Sequence, residues 1–375
     1  MKKVLVIAPY SYLPHYSGGQ KLIGEFVAHL ARYTDLTVIS TKRNNPDLAI
    51  GYRLLRWLPN PFYRYLDIRL KAKLKKLIEG EIFDCIIWEH PYYYWLAKSI
   101  RNECGIFTML HTHNIEYERF RSLGKWWWPI LKKYEGAFFK EADQLFFISS
   151  SDMQSAMSEW ELPTSKCQVL PFGIRQDSSP TDRAACQEQI RQKHHIPEEA
   201  HILLFNGLLS YLPNRQAVDD LIREVNPRLL KQPDFKYRLL ICGKGLPSSY
   251  QELVNEKDRN IVFAGFVEDI ETYFKAADVF VNPVRSGGGI KTKMVEAIGF
   301  GTTVVSTATG SIGIDAKACG EKLQTSSDGD WDGFCEQIIN EAKRKTSTPN
   351  AYYEVYNWDQ IVQEIPRLLS NQSAR

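Results

Sequence analysis

The chain has 375 residues, 24% charged and 44% hydrophobic, with 47 Lys and Arg against 44 Asp and Glu for a net charge of +3. That length suggests two domains of ordinary size, the mixed composition excludes a disordered or fibrous chain, and the near-balanced charge excludes a protein that coats nucleic acid. The seven cysteines are odd in number and lack a Cys-x-x-Cys pair, which reads as free thiols in a reducing cytoplasm.

Val4–Ala8 is an apolar run that Pro9 cuts too short for a signal peptide, so it reads as a first buried parallel strand. Ser17-Gly18-Gly19 follows and opens a helical pattern over 20–33, and Leu36–Ser40 is a second strand. Residues 53–76 hold eight basic side chains against one acid, Asp67, with Trp57, Phe62, Tyr63 and Tyr65 among them, and 66–79 is helical. Cys85–Trp88 and Phe107–His111 are strand-like. Lys125 and Trp126-Trp127-Trp128 lead into a helix over 128–141 that carries Lys132 and Lys133, and Leu145–Ser149 and Val169–Pro171 complete the series. The basic and aromatic stretches 53–76 and 125–133 point to peripheral contact with a bilayer or with an anionic, lipid-linked acceptor. No nucleic-acid-binding motif accompanies the charge.

Residues 173–199 turn polar, a linker with a short helix, and the rhythm restarts. Strands are expected at 202–205, 237–242, 261–264, 279–281 and 303–306, and helices at 214–230, 248–255, 268–275 and 290–298. No apolar run approaches the ~20 residues of a membrane span. Two successive βαβ series imply an α/β protein of two Rossmann-like, doubly wound domains facing across a cleft, with ligand bound in that cleft.

The most informative segment is 283–305. A strand runs into Gly287-Gly288-Gly289, and a helix is expected from Ile290, with Lys291 and Lys293 at its start and Glu296 two turns in. Glycines at a strand-to-helix turn let backbone amides reach an anion. Lysine opposes the dipole at a helix start unless an anion sits there. This pattern suits a diphosphate, with Glu296 for ribose hydroxyls. It is no Walker A loop, because Ile290 interrupts Gly-Lys-Thr. Gly243-Lys244-Gly245 lacks the third glycine of a dinucleotide fingerprint and reads as an approach to the base. Asp328-Gly329-Asp330 precedes a helical pattern and reads as capping rather than metal binding. No His or Cys cluster has metal spacing in the sequence.

In order along the chain, Ser17-Gly18-Gly19, His113-Asn114-Ile115-Glu116, Ile148-Ser149 with Asp152, Val169–Ile174, Asn206-Gly207, Ile241–Gly245, Gly265–Asp269, the 283–305 segment and Tyr356-Asn357-Trp358 resemble glycosyltransferase family 4 of the GT-B fold. The sequence departs from the family pattern at two places. Gly288 stands where the first of two glutamates is usual, as in a sub-branch with Gly-Gly-Gly. Leu208 and Pro213-Asn214 stand where an Arg and a Lys often grip the diphosphate.

The resemblance implies an N-terminal acceptor domain over 1–175, joined by a C-terminal helix (357–375) that crosses back to it, and a donor domain over 176–356. It implies a cytoplasmic, retaining, metal-independent hexosyltransferase of bacterial polysaccharide biosynthesis, which the basic and aromatic stretches would place peripherally at the inner face of the membrane. Its substrates are a UDP- or GDP-linked sugar and a glycan, lipid-linked or small-molecule acceptor, with no further cofactor. His113 would contact the sugar. Lys291 and Lys293, with Gly288, Gly289 and Ile290, would hold the diphosphate and Glu296 the ribose. Gly18 and Gly19 would close over the phosphates, while Gly207, Gly243 and Lys244 would line the nucleotide site. The alternatives are an inactive sugar-binding scaffold, favoured by Gly288, and a nucleotide-sugar epimerase, which needs carboxylates that the sequence does not place.

Overall fold

The structure, a computed structural model, describes residues 1–15, 17–59, 67–247, 250 and 260–373. The chain divides into two compact units. The first is Met1–Gly173 with Gly288–Ile290 and Trp358–Arg375, and the second is Ile174–Gly287 with Lys291–Asn357.

In the first unit seven strands form a parallel sheet: β1 (Lys2–Ala8), β2 (Thr34–Thr41), β3 (Arg53–Leu58), β4 (Cys85–Glu89), β5 (Phe107–Thr112), β6 (Gln144–Phe147) and β7 (Cys167–Val169). Their order is β3-β2-β1-β4-β5-β6-β7. β1, β4, β5 and β6 are buried nearly throughout because helices cover both faces of a parallel sheet. On one face Leu5, Ile7, Ile86, Trp88 and Leu110 pack with Leu74, Leu96 and Phe138 from the helices Ile68–Gly80, Tyr94–Cys104 and Trp128–Glu141. Near the opposite face lies the helix Gly18–Leu30, with Phe26 5.1 Å from the His111 ring.

The C-terminal helix, Trp358–Ser373, belongs to this first unit and packs on Gly18–Leu30. Trp358 is buried, 6.2 Å from the His29 ring and 5.7 Å from Phe172. Asp359 accepts from His29 Nδ1 at 3.0 Å and from Arg32 Nη1 at 3.1 Å.

The second unit holds six parallel strands: β8 (His201–Asn206), β9 (Tyr237–Cys242), β10 (Ile261–Gly265), β11 (Val279–Asn282), β12 (Thr303–Thr307) and β13 (Leu323–Ser326). The order is β10-β9-β8-β11-β12-β13. Leu203, Phe205, Leu239 and Val281 pack with Val218, Leu229 and Phe334. The helix expected at 214–230 is three pieces: Leu212–Asp220, a π-helical turn at Leu221–Val225, and Asn226–Leu230. Pro227 has no amide hydrogen to donate, and the widened turn precedes it.

Three expectations change. β3 and β13 were not foreseen, because both are sheet edges with polar residues interleaved. The helix after the triple glycine is Thr292–Gly299, two residues later than expected, with Lys291 at its N-cap, so Glu296 sits one turn in rather than two. The helix expected at 248–255 and residues 60–66 of the first basic stretch lie outside the described residues.

Trp358 ties the C-terminal helix to the first unit. Trp358→Ala is expected to cost about 3–5 kcal/mol of stability and to remove hydrogen-exchange protection along 358–373, which melting and exchange measurements would read.

Candidate functional site

In a doubly wound sheet ligands collect beyond the strand C-termini where the strand order reverses. The reversals here fall between β1 and β4 and between β8 and β11. At the first, β4 ends in Glu89 and leads into His90, whose backbone is left-handed at φ 68°. That conformation is strained for a residue with a Cβ and clusters at functional sites. The His90 amide donates to His111 O at 2.9 Å, so the strained residue is pinned to β5.

Around it is a buried set of charges. Glu89 is fully buried and accepts from His111 Nδ1 at 3.1 Å and from His113 Nε2 at 2.6 Å. Burial alone would raise its pKa, but the two imidazoles outweigh that and hold it well below the usual carboxylate range. His113 is pushed the other way, down to about 3, by burial and by the neighbouring His90 ring at 4.1 Å. His113 is therefore neutral near pH 7, with its Nε2 hydrogen directed at Glu89.

Glu116 accepts from His90 Nδ1 at 3.1 Å, from Tyr92 Oη at 2.7 Å and from Arg119 at 3.1 Å. These partners overcome its burial and hold it down to about 2. Tyr10 closes the set, 3.0 Å from Tyr92 Oη and edge-on to His90. Behind them Glu135 is buried and accepts the amides of Glu116 at 2.9 Å and Tyr117 at 3.0 Å. Having no cationic partner among these contacts, it is raised to about 8 by desolvation.

Glu89, His111 and His113 bring three ligand-type atoms within 4.8 Å of one another, the donor set a divalent ion takes. Both carboxylate oxygens are already engaged by imidazoles. The helix Gly18–Leu30 of this unit is capped by Ser17 Oγ, which accepts from Gln20 N at 3.5 Å. A side chain at Gly19 would meet nothing within 4 Å, so packing does not require glycine there.

At the second reversal, β8 ends at Asn206-Gly207 and β11 at Asn282. Arg285 makes a paired contact with Asp220 at 2.8 and 2.9 Å, fixing the loop after β11 to the helix Leu212–Asp220. Gly287 and Gly289 are both left-handed, at φ 87° and 69°. Lys291 Nζ lies 3.0 Å from Gly287 O. Lys293 Nζ lies 3.1 Å from Asn206 O, 3.1 Å from Asn214 Oδ1 and 4.0 Å from the Phe205 ring centroid. Desolvation, and then the like charge of Lys291, depress its pKa. Lys293 thus brings a basic amine to the segment around Asn214 that the sequence left without one.

Gly207 and Gly243 have a different explanation. A side chain on Gly243, at φ 149°, would overlap the carbonyl of Gly207, and one on Gly207 would press the Asn214 amide at 2.7 Å. Close backbone packing accounts for both glycines. Lys244 is exposed, its Nζ 5.7 Å from the Phe266 ring.

Lys291, Lys293, Gly207 and Gly287 therefore gather at one reversal in the second unit, and His113 lies at the other in the first. Glu296 is half-buried one turn into its helix. Gly288 is exposed, and Ile290 is buried. Sequence reasoning passed over Glu89 and His90 and read Glu116 only as part of the His113–Glu116 motif. The available signal was a carboxylate and a histidine ending a strand whose other residues are all apolar. Asp330 caps its helix, accepting from Gly333 N at 3.0 Å.

Comparison with known proteins bears on the family and the fold. Residues 16–178 match the family described as Glycosyltransferase Family 4, and residues 200–341 match Glycosyl transferases group 1. A protein of Klebsiella pneumoniae described as an uncharacterized 44.6 kDa protein in the cps region is 24% identical over 82% of this chain and 76% of its own length. A GDP-mannose-dependent monoacylated alpha-(1-6)-phosphatidylinositol monomannoside mannosyltransferase of Corynebacterium glutamicum is 24% identical over 85% of this chain and 78% of its own. Among solved structures, Anabaena HepE in complex with UDP and glucose superposes with a TM-score of 0.68 at 16% identity, covering 99% of this chain and 100% of that one.

The buried groups give stability a two-sided pH dependence. Between about pH 3 and 6.5 the unfolded chain binds the proton that folded His113 refuses, so stability falls as pH drops through that window. Between about pH 4.5 and 8 folded Glu135 keeps a proton that the unfolded chain releases, so its contribution falls as pH rises. Melting temperatures across pH should show His113→Asn flattening the acid side and Glu135→Gln flattening the alkaline side.

Proposed function

The chain belongs to the glycosyltransferase group 1 family, with the two-domain GT-B fold, and from that premise we propose that it moves a hexose-type sugar from a nucleotide diphosphate to a glycan or lipid-linked acceptor. The transfer retains anomeric configuration and uses no metal. The observation that carries this reading is the loop between β11 and the helix Thr292–Gly299. Two left-handed glycines there leave the backbone open beside a helix start, and two lysine ammonium groups stand at that start.

The chemistry needs what this loop offers. The bond between the anomeric carbon and the diphosphate oxygen breaks, and the nucleotide diphosphate leaves with the electron pair. The acceptor oxygen bonds to that carbon and gives its proton to the donor's phosphate oxygen. Negative charge builds on the leaving group, and amides and ammonium groups held in place stabilise it without reorganising. Lys291 and Lys293 are assigned that role. An arriving anion would also restore the proton affinity that desolvation takes from Lys293. Glu296 holds the ribose, Gly18 and Gly19 offer amides to the phosphates, and Lys244 faces the base.

His113, neutral and braced by Glu89, would meet sugar hydroxyls without placing a second cation near the reacting carbon. The UDP bound by HepE and the GDP-mannose named for the Corynebacterium relative support a nucleotide-sugar donor of either base. No helix among the described residues is long and apolar enough to cross a membrane, and we place the protein at the cytoplasmic face, in peripheral contact with the bilayer.

Gly288, at the usual place of a sugar-contacting glutamate, favours one rival, a sugar-binding subunit without turnover. Thermal-shift measurement against UDP, GDP and their sugars, with release of the free nucleotide followed alongside, separates the two. A saturating donor at 100 times its Kd should stabilise the protein by about 2.7 kcal/mol. Stabilisation without nucleotide release would establish the rival. Lys291→Ala is expected to lower turnover about a hundredfold or more with the melting temperature unchanged, and unaltered turnover would remove the lysine from the phosphate site.

A further inference from the structure

The two basic-aromatic stretches differ in what surrounds their charges. In the first, Arg53 is paired with Glu81 at 2.8 Å, and Lys71 and Lys75 with Glu103 at 2.6 and 3.1 Å. Arg56 faces the carbonyls of Lys42 and Asn44. Those contacts hold four of its cations within the unit, while Arg69, Lys73 and Lys76 are exposed and make no ion pair among the described residues.

The second stretch is arranged otherwise. Trp127 packs on Phe120 with ring centroids 4.5 Å apart, and Trp128 lies 6.1 Å from Tyr117 with the Arg121 guanidinium 5.1 Å above it. Two of the three tryptophans are thus held inward. They form a platform from which Trp126 projects, 83% exposed. Beside it Leu123 is 50% and Ile130 65% exposed. Pro129, Ile130, Lys133 and Lys140 fall on one face of the helix Trp128–Glu141, all of them exposed.

Among the described residues, no ion pair engages Arg121, Lys125, Lys133 or Lys140. The neighbouring acids are otherwise engaged: Glu159 pairs with Lys132, and Glu118 accepts from Tyr117 Oη at 3.2 Å. Exposed apolar side chains ringed by unpaired cations are what an anionic bilayer interface accommodates. The apolar groups enter the headgroup boundary, tryptophan prefers that depth, and the cations meet lipid phosphates.

We propose that Leu123, Trp126 and Ile130, ringed by Arg121, Lys125 and Lys133, dock the first unit on an anionic phospholipid surface. The preceding helix, Glu116–Ser122, begins at the buried Glu116 and ends at this patch, so one short element joins the docking surface to the histidine cluster. The inference rests on the proposed reaction only for its purpose. Its readout needs no sugar donor, so the failure of one is distinguishable from the failure of the other.

The test is co-sedimentation of the full chain with phosphatidylcholine vesicles, with and without about a third phosphatidylglycerol. Partition is expected onto the anionic vesicles alone and should weaken as salt is raised. Lys125→Gln with Lys133→Gln should weaken it about tenfold or more, and Trp126→Ser with Ile130→Ser should abolish it. Melting temperature and nucleotide binding should stay unchanged in both variants. Wild-type protein that ignores anionic vesicles, or variants that bind as the wild type does, would overturn the proposal. A dimer in solution that the Trp126 variant disperses would also overturn it and give the face to a second copy of the chain.

Discussion

In both units the strand order reverses once, between β1 and β4 and between β8 and β11, and the placement of His113, Gly207, Lys291 and Lys293 depends on that reversal. Successive crossovers in a parallel sheet keep one hand. The connections that leave two adjacent strands must therefore diverge to opposite faces where the order turns. The loops part, and backbone amides at those strand ends lack the cover they have elsewhere. His90 stands at one such point and the loop after β11 leads away from the other. The same topological requirement thus prepared two places where polar groups gather at the end of an apolar core.

The two places use charge in opposite ways. In the first unit, carboxylates are fully buried and are tolerated because imidazoles, a guanidinium and backbone amides surround them. Removing one partner would leave a buried charge unmatched, so the set keeps its geometry as a whole. In the second unit the Lys291 and Lys293 amino groups rest on carbonyl oxygens, and Lys293 also lies over an aromatic ring.

The sheet interiors were legible in the sequence because strands buried on both faces are continuous runs of Val, Ile, Leu and Phe. Cys85–Trp88 and Tyr237–Cys242 could be read directly for that reason. β3 was hidden by Arg53 and Arg56, which an edge strand can carry toward solvent, and β13 by Gln324 and Thr325. The glycine and lysine loop could be found because its parts are consecutive. The carboxylate and histidine set could not, because Glu89 meets His113 across 24 residues and Glu116 meets His90 across 26. Pairing of Lys71 and Lys75 with Glu103 was invisible for the same reason, so the first basic stretch looked more available than it is.

Gly243 is locked by the carbonyl of Gly207, and Gly207 by the side chain of Asn214. Neither position is then open to gradual exploration, because any single replacement must displace a neighbour before it can offer a new contact. Altered recognition at this strand end, whether by natural drift or by laboratory selection, would have to arise at neighbours with room to vary, such as the exposed Lys244 and Phe266. A library that randomised the two glycines would mostly return poorly folded chains. One built on the exposed positions beside them would sample recognition while keeping the scaffold intact.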